Sequence, residues 1–170
     1  KKNPELIQMA MTYLLTIRGI PQVYYGTEIA MENSAKPGDH GLIRSDFPGG
    51  WKEDTMNGFT GAGLTADQLT LQAYLRKLLN WRKNNPVIHT GNILHFSPLN
   101  GIYVYFRYNG TQTIMVVLNK NAGASKVDTG RFAEITKDKK SARDVIRGDQ
   151  YILSNGLSIP GRTAMVFELK

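Results

Sequence analysis

The sequence predicts an α/β segment followed by an all-β antiparallel domain, and three observations lead to this prediction. The first half has two amphipathic helical stretches separated by a short apolar run, the alternation typical of parallel α/β proteins. From about residue 90 the spacing of apolar residues changes to two, which indicates strands. The chain has 170 residues, of which 41% are hydrophobic and 21% charged. This is the composition of an ordinary globular protein.

The first helix is predicted from Pro4 to about residue 18. Asn3 suits the N-cap, Pro4 suits the first helical position, and Gly19 supplies a stop. The run at residues 20–26 is short, apolar and β-prone, which predicts a buried strand. One helix and one strand cannot form a sheet, so we expect the partner strands to lie outside this chain.

Residues 27 to about 64 predict a long, ordered loop. The stretch is polar and rich in glycine, proline, asparagine and aspartate. Loops of this length are uncommon in compact domains and are usually functional or disordered. Arg44, Asp46, Phe47 and Trp51 give this one anchors that a flexible linker would not need.

A second helix follows the loop and begins with a capping box from Thr65 to Gln68. It is expected to end before Pro86, because the residue preceding a proline is disfavoured in helical geometry. Its apolar stripe consists of Leu71, Tyr74, Leu75, Leu78 and Leu79.

The second half predicts an antiparallel β-sandwich. Asn109-Gly110 is a strong hairpin signal between two alternating runs. The predicted strands are 92–97, 102–108, 111–119, 142–146, 150–153 and 163–169. Several short strands at this spacing are typical of a sandwich. The domain boundary is therefore placed between residues 1–88 and residues 89–170.

Composition and charge exclude several function classes. The net charge of +7 is spread along the chain without a basic helix, so no nucleic-acid partner is expected. No apolar run is long enough for a membrane span, and the chain has no cysteine. His40, His89 and His95 lack metal-ligand spacing and are interpreted as surface or packing residues. We therefore predict no metal and no cofactor.

Three segments resemble the α-amylase family of glycoside hydrolases. Residues 18–29, RGIPQVYYGTEI, resemble the segment around the eighth strand of that family's barrel. Residues 41–51, GLIRSDFPGGW, look closest to the neopullulanase and cyclomaltodextrinase branch. Residues 157–167, LSIPGRTAMVF, look like the last strand of the family's C-terminal domain. The resemblance implies the last βα part of a TIM barrel (helix 7, strand 8, long loop and helix 8) followed by an all-β antiparallel Greek-key sandwich.

This resemblance implies a retaining hydrolase that acts on starch, pullulan or cyclodextrins. In such enzymes two carboxylates lie about 5–5.5 Å apart across the scissile bond. The family carries these groups on earlier barrel strands, so the resemblance places them before Lys1 and predicts no catalytic residue in this chain. The missing N-terminal barrel part is then an expected partner, and a homo-oligomer is left open. The chain lacks an initiator Met and opens at a helix start, so we expect Lys1 to be a cut end. Localisation stays unknown; export, for example to the periplasm, is the expectation that comes with the resemblance.

Four residues of the long loop are candidates for substrate binding, because loops after barrel strands build the active-site face. Arg44 can donate to sugar hydroxyls, Asp39 and Asp46 can accept from them, and Trp51 can stack on a sugar face. The alternative is structural. In that interpretation Arg44 pairs with Asp46 or Asp39 to shape the loop, and Trp51 plugs it.

Other residues in this region are interpreted as structural. Glu28 lies close to the predicted strand and is expected to have a fixed partner. Tyr24 and Tyr25 are expected to pack inside a barrel with satisfied hydroxyls.

Two further functions are considered. The sandwich could be a carbohydrate-binding module that uses Tyr103, Tyr105 and Tyr108, or a purely structural domain that closes the barrel. Tyr103 and Tyr105 share one face of their strand, and Tyr108 lies on the other. One of the two faces must be core.

Overall fold

A computed structural model describes residues 3–32, 38–39, 41 and 44–170 of the protein. Within these residues the α-helices are α1 (Pro4–Thr16), α2 (Ala66–Lys83), α3 (Pro86–Thr90) and α4 (Ala133–Thr136). The strands are β1 (Asn92–Leu99), β2 (Ile102–Tyr108), β3 (Thr113–Asn119), β4 (Ser125–Val127), β5 (Ser141–Asp144), β6 (Gln150–Ile152), β7 (Leu157–Ile159) and β8 (Thr163–Leu169). Short 3-10 turns cover Thr27–Ile29, Thr129–Phe132 and Leu153–Asn155. None of the described helices is long and apolar enough to cross a membrane.

The chain forms two compact units. One consists of Gln22–Arg76, and the other combines Lys1–Pro21 with Lys77–Lys170. The second unit contains α1, the end of α2 and all eight strands that the described residues form. The boundary predicted from the sequence lies between residues 88 and 89. It differs from this division by contacts and stays a prediction.

The two long helices begin where their capping residues predict. The Asn3 carboxamide accepts the Leu6 N–H at 3.2 Å, and Pro4 occupies the first turn of α1. The Thr65 N–H donates to Gln68 Oε1 at 2.9 Å, while the Gln68 N–H donates back to Thr65 Oγ1 at 3.3 Å. This reciprocal pair is the predicted capping box. Pro86 also begins the short helix α3, which sequence reasoning missed.

The strand predicted at residues 20–26 is not present, and that prediction is wrong for this chain. Residues 20–24 have no regular secondary structure, and Gly26 leads into a 3-10 turn with φ +81°. The side chains of Ile20 and Tyr24 are 98% and 56% exposed. A strand needs a neighbour for its backbone hydrogen bonds, and neither unit offers one here.

The β domain is antiparallel throughout, as predicted. Its larger sheet has the strand order β1-β2-β3-β8-β5-β6, and β4 pairs with β7 in a second, two-stranded sheet. All five neighbouring pairs of the larger sheet are antiparallel. Neither strand of the small sheet, Ser125–Val127 or Leu157–Ile159, is among the strands predicted from alternation.

The hairpin predicted at Asn109-Gly110 forms, but its loop is longer than two residues. Tyr108 pairs directly with Thr113, so the predicted Asn109-Gly110 hairpin is confirmed but its loop has four residues. Asn109 Oδ1 caps this loop by accepting the N–H groups of Thr111 and Gln112 at 2.9 and 2.8 Å.

The two-residue turn lies instead at Asn100-Gly101, which sequence reasoning overlooked. Its φ angles are +50° and +78°, and Leu99 pairs with Ile102 across it. Positive φ at both central residues is the geometry that Asn-Gly favours in tight hairpins.

The main core lies between the two sheets. Val104 and Phe106 of β2 face it, together with Phe167 of β8 and Leu157 and Ile159 of β7. Phe167, Leu157 and Ile159 have no exposed surface. The core closes because alternating residues of both sheets point inward.

The opposite face of β2 is buried as well. Tyr105 and Arg107 have no exposed surface, and α1 supplies the cover. The ring of Tyr13 meets that of Tyr105 edge-on at 6.0 Å. The Tyr105 hydroxyl lies 2.6 Å from Thr16 Oγ1, which donates to Thr12 O. Burial raises the pKa of Tyr105 far above its usual range, so this hydroxyl stays protonated as the donor.

Arg107 joins the end of α1 to the β domain. Its guanidinium donates to Thr16 O at 3.1 Å, Gly91 O at 2.9 Å and Asn92 O at 3.3 Å. Arg82 adds a bond from Nε to Leu15 O at 2.9 Å. The last carbonyls of a helix lack intrahelical donors and carry the negative end of its dipole. Arg107 and Arg82 therefore donate hydrogen bonds to the last carbonyls of α1, and their positive charges stabilise the negative end of its dipole.

Replacing Arg107 with methionine is expected to lower the free energy of unfolding by about 3 kcal/mol or more, because three carbonyls lose their donor. Urea unfolding at neutral pH measures the change. Arg143→Met is the matched control, since that side chain is 43% exposed and only pairs with Glu168 at 3.4 Å. An exposed pair contributes about 1 kcal/mol or less. Equal losses in the two variants would contradict the assigned role of Arg107.

Candidate functional site

The four sequence-predicted site residues all lie in the Gln22–Arg76 unit. Asp39, Arg44, Asp46 and Trp51 are exposed. Residues 33–37, 40, 42 and 43 lie outside the described part of the chain, and with them the candidate histidine His40. The site is therefore described from residues 22–32, 38–39, 41 and 44–64.

Arg44 and Asp46 flank a tyrosine pair. The rings of Tyr24 and Tyr25 are 4.5 Å apart and tilted, and the Tyr25 hydroxyl donates to Ser45 O at 2.9 Å. The hydrogen bond with Tyr24 raises the pKa of Tyr25; the Asp46 charge raises it further, and the Arg44 charge lowers it. Both charged groups are thus close enough to act on the exposed phenol.

Tyr24 and Tyr25 are 56% and 41% exposed in this chain, and their expected packing inside a barrel stays a prediction because the described residues form no barrel. Burial would require neighbouring strands that the described chain does not supply. The signal that could have identified them as surface residues was that same absence of partner strands. This exposed, tilted pair of tyrosines offers apolar ring faces with polar hydroxyl edges.

Trp51 is presented by a tight turn built around Asp54. Asp54 Oδ2 accepts the N–H groups of Gly49 at 2.6 Å and Trp51 at 3.0 Å. These backbone donors, Trp51 first, lower the pKa of Asp54. Gly49 has φ +107°, and a Cβ there would lie 2.6 Å from the Asn57 side chain, so only glycine fits. The Trp51 side chain is 66% exposed, so it does not plug the loop.

Asn57 organises the base of the same loop. Its Oδ1 accepts the N–H groups of Phe59 and Thr60 at 2.9 Å each, and its own N–H donates to Ala62 O at 2.8 Å. The rings of Phe47 and Phe59 lie 5.0 Å apart. These contacts support the prediction of an ordered loop from residue 27 to about 64 for its described part between residues 47 and 62.

Asp39 has a local role. Its Oδ1 accepts the Gly41 N–H at 3.1 Å, and Gly41 O accepts the Arg44 N–H at 3.2 Å. Asp39 and Arg44 thus each form a hydrogen bond with Gly41, and the charges of Arg44 and Asp46 act on Tyr25. Trp51 belongs to the separate turn closed by Asp54. Glu28 is half-buried in the 3-10 turn Thr27–Ile29.

Metal-binding chemistry finds no support in the described residues. No group of three or more histidines, aspartates and glutamates among them could hold an ion. His89 Nε2 lies 2.9 Å from Arg82 O, and the ring of His95 meets Tyr103 edge-on at 6.4 Å. Both histidines have the structural surroundings predicted for them.

The β domain matches a known family. Residues 93–168 match the model of the cyclo-malto-dextrinase C-terminal domain. This range begins within β1 and ends within β8.

Two curated proteins are similar to most of the chain. A cyclomaltodextrin glucanotransferase of Geobacillus stearothermophilus is 27% identical over 135 residues, which cover 78% of this chain and 16% of that protein. A maltogenic α-amylase of Bacillus acidopullulyticus is 24% identical over 162 residues, which cover 93% and 24%. The chain spans no more than about a quarter of the length of these relatives.

A solved structure has the same fold. The α-amylase from Geobacillus thermoleovorans, crystallised with acarbose, superposes with a TM-score of 0.68 at 23% identity. The superposition covers 99% of this chain and 34% of the other.

The turn that holds Trp51 is expected to open in acid. Hydrogen bonds to the Asp54 carboxylate lower its pKa below the ordinary 3.8, so the turn is fully stabilised above that pH and loosens as pH falls further. The measurement is an NMR titration of the Gly49 and Trp51 amide shifts. In Asp54→Asn both shifts should differ from the parent protein at neutral pH and respond little to acid. Identical titrations in the two proteins would disprove this account of the turn.

Proposed function

We propose that this chain, which belongs to the α-amylase family, is the C-terminal portion of a retaining α-glucan hydrolase. In this proposal residues 1–88 are the end of a TIM barrel, and residues 89–170 form the β-sandwich domain. The parent enzyme acts on starch, pullulan or cyclodextrins, and the loop at residues 41–51 favours the neopullulanase and cyclomaltodextrinase branch. The catalytic carboxylates lie upstream, so the chain alone is inactive.

The observation that carries the proposal is a set of exposed aromatic and charged side chains in the Gln22–Arg76 unit. Trp51 is held by the Asp54 turn yet two-thirds exposed, and the loop also places Arg44 and Asp46 beside Tyr25. Exposed aromatic planes next to charged hydrogen-bonding groups suit sugar rings and their hydroxyls. We assign this surface to one wall of the substrate cleft.

Missing barrel strands explain the apolar segment before this loop. Ile20 and Val23 expose 98% and 41% of their surface, although both belong to a β-prone run. A run of this kind is stable only when paired and covered. The upstream barrel part, or a second copy of the chain, would supply that cover.

The acids in this chain are poor candidates for catalysis. Asp54 is committed to two backbone N–H groups, and its lowered pKa is the opposite of what a general acid needs. Asp39 caps its own turn through Gly41. A retaining mechanism needs one carboxyl kept protonated near its partner, whereas the lowered pKa of Asp54 favours its ionised form.

The alternative of a carbohydrate-binding sandwich is less well supported. Tyr103 and Tyr105 were its proposed platform, but Tyr105 is fully buried beneath α1. Tyr108, on the other face, is half-buried. The face that carries Tyr105 therefore offers no pair of exposed, coplanar rings.

Hydrolysis assays test the assignment of the catalytic groups. The 170-residue chain and a version extended upstream through the whole barrel are given pullulan, starch and cyclodextrin. We expect activity in the extended protein alone. Activity in the short chain would overturn the proposal and direct mutagenesis to Asp39, Asp46, Glu28 and Glu32.

The cleft-wall assignment makes a separate prediction in the extended protein. Trp51→Ala should raise KM roughly tenfold, the effect of losing about 1.4 kcal/mol of sugar stacking, with a smaller effect on kcat. Lys52→Ala is the neighbouring control, because Lys52 is exposed and has no assigned contact with sugar. If KM is the same in both variants, Trp51 does not contact substrate.

A further inference from the structure

Four asparagine–glycine pairs occur in the chain, and the function proposed above gives none of them a chemical role. Deamidation begins when the backbone nitrogen of the next residue attacks the carboxamide carbon of an asparagine. Glycine in that position leaves the approach open, because it has no Cβ. The pairs lie at residues 57–58, 100–101, 109–110 and 155–156. All four have glycine second, so only their surroundings in the structure can distinguish them.

The pair at residues 57–58 is held at both reacting groups. Asn57 Oδ1 accepts the N–H groups of Phe59 and Thr60 at 2.9 Å each. The Gly58 N–H donates to Pro48 O at 2.9 Å. The carboxamide and the attacking nitrogen are therefore both engaged in hydrogen bonds.

Two further pairs are each held at one reacting group. Asn109 Oδ1 accepts the N–H groups of Thr111 and Gln112 at 2.9 and 2.8 Å, and the Thr111 hydroxyl at 3.1 Å. In the last pair the Gly156 N–H donates to Leu153 O at 2.9 Å. Each of these pairs must give up hydrogen bonds before a ring can close.

The pair Asn100-Gly101 is the exception. Asn100 is exposed at the tip of the two-residue turn between β1 and β2, and its φ is +50°. Among the hydrogen bonds formed by the described residues, none involves the Asn100 carboxamide or the Gly101 N–H. Both reacting groups are therefore free and adjacent.

The neighbouring Asn121 side chain activates the attacking nitrogen. Its Nδ2 donates to Asn100 O at 2.8 Å, and a Cβ on Gly101 would collide with this carboxamide. The accepting carbonyl and the Gly101 N–H belong to the same peptide group. A donor at the oxygen draws electron density from the nitrogen, so the N–H proton is lost more easily. Asn121 is itself anchored, since its N–H donates to Asn119 Oδ1 at 3.0 Å.

We propose that Asn100 is a site of spontaneous deamidation and that the structure selects it over the other three pairs. Hydroxide removes the Gly101 N–H proton, and the nitrogen attacks Cγ of Asn100. A succinimide ring closes as the C–N bond of the carboxamide breaks, and ammonia leaves with a proton taken from water. A second water opens the imide at either carbonyl, which gives aspartate or isoaspartate. In sum, one amide and one water become one carboxylate and one ammonium ion, and nothing is oxidised or reduced.

The product changes the hairpin tip in two ways. A carboxylate replaces a neutral amide beside a cavity that is also lined by Lys126, Asp128 and Arg131. In isoaspartate the backbone gains a methylene group, although Leu99 pairs with Ile102 across a turn of only two residues. The aspartyl form therefore keeps the turn, whereas the isoaspartyl form shifts the register of the hairpin.

Peptide mapping by mass spectrometry tests the selection. The 170-residue chain is incubated at mildly alkaline pH, folded and in guanidinium chloride, and deamidation is followed at all four pairs. In the folded chain Asn100 should react roughly tenfold faster than the others, because each of those must first break a hydrogen bond. In denaturant the four rates should converge. An equal or faster rate at another pair in the folded chain, the same preference for Asn100 in denaturant, or no reaction at Asn100 would overturn the proposal.

A variant of the neighbouring residue tests the activation. Asn121→Asp keeps the shape of the side chain but removes the donor, so it should slow the reaction at Asn100 roughly fivefold. Gln150→Glu is the matched control, because it adds the same charge on β6, at the opposite edge of the sheet from β1, and should leave the rate unchanged. Equal rates in the two variants would overturn the activating role of Asn121.

Asn100→Gly covers the case in which Asn121→Asp disturbs the fold. Glycine accepts φ +50°, so this variant keeps the turn and removes only the reacting side chain. Ion-exchange chromatography should show a rapidly formed acidic species in the parent chain and only slowly formed ones in this variant. The same rapid species in both chains would overturn the assignment to Asn100.

Discussion

The buried guanidinium of Arg107 is the interaction on which the Lys77–Lys170 part of the structure and α1 depend. It is fully buried, yet its bonds go to the carbonyls of Thr16, Gly91 and Asn92 rather than to a carboxylate. Burial lowers its pKa, and the charges of Arg18 and Arg82 act in the same direction. Such a charge is tolerated because the negative end of α1 provides the compensating field. The end of α1 therefore stabilises the buried charge of Arg107, and Arg107 in turn supplies hydrogen bonds to the end of α1.

This coupling decides what the sheet can do. Because α1 covers Tyr105 and Arg107, β2 has core on both faces, and Tyr105 cannot take part in a sugar platform. The polar residues of this face serve the helix end instead of a ligand. In the β domain the exposed positions lie at the edges, for example at the hairpin tip Asn100 and at Arg131.

Features set by neighbouring residues could be predicted from the sequence. The Asn3 cap, the Thr65–Gln68 box and the Asn109 hairpin all form, because each is stabilised within a few residues of itself. Features set by distant residues could not. Nothing in the alternation of β2 shows that Arg107 is buried, since its three acceptors belong to α1 and to the start of β1.

The same distinction between local and distant stabilisation explains the candidate site. The loop keeps its shape because Asp54 and Asn57 satisfy its backbone from within, so Trp51 is presented without help from the rest of a barrel. Residues 20–24 have no such internal partners and form no strand. A loop whose shape is fixed within its own turns is preorganised, so in the proposed cleft-wall role it would contact substrate with little further ordering cost.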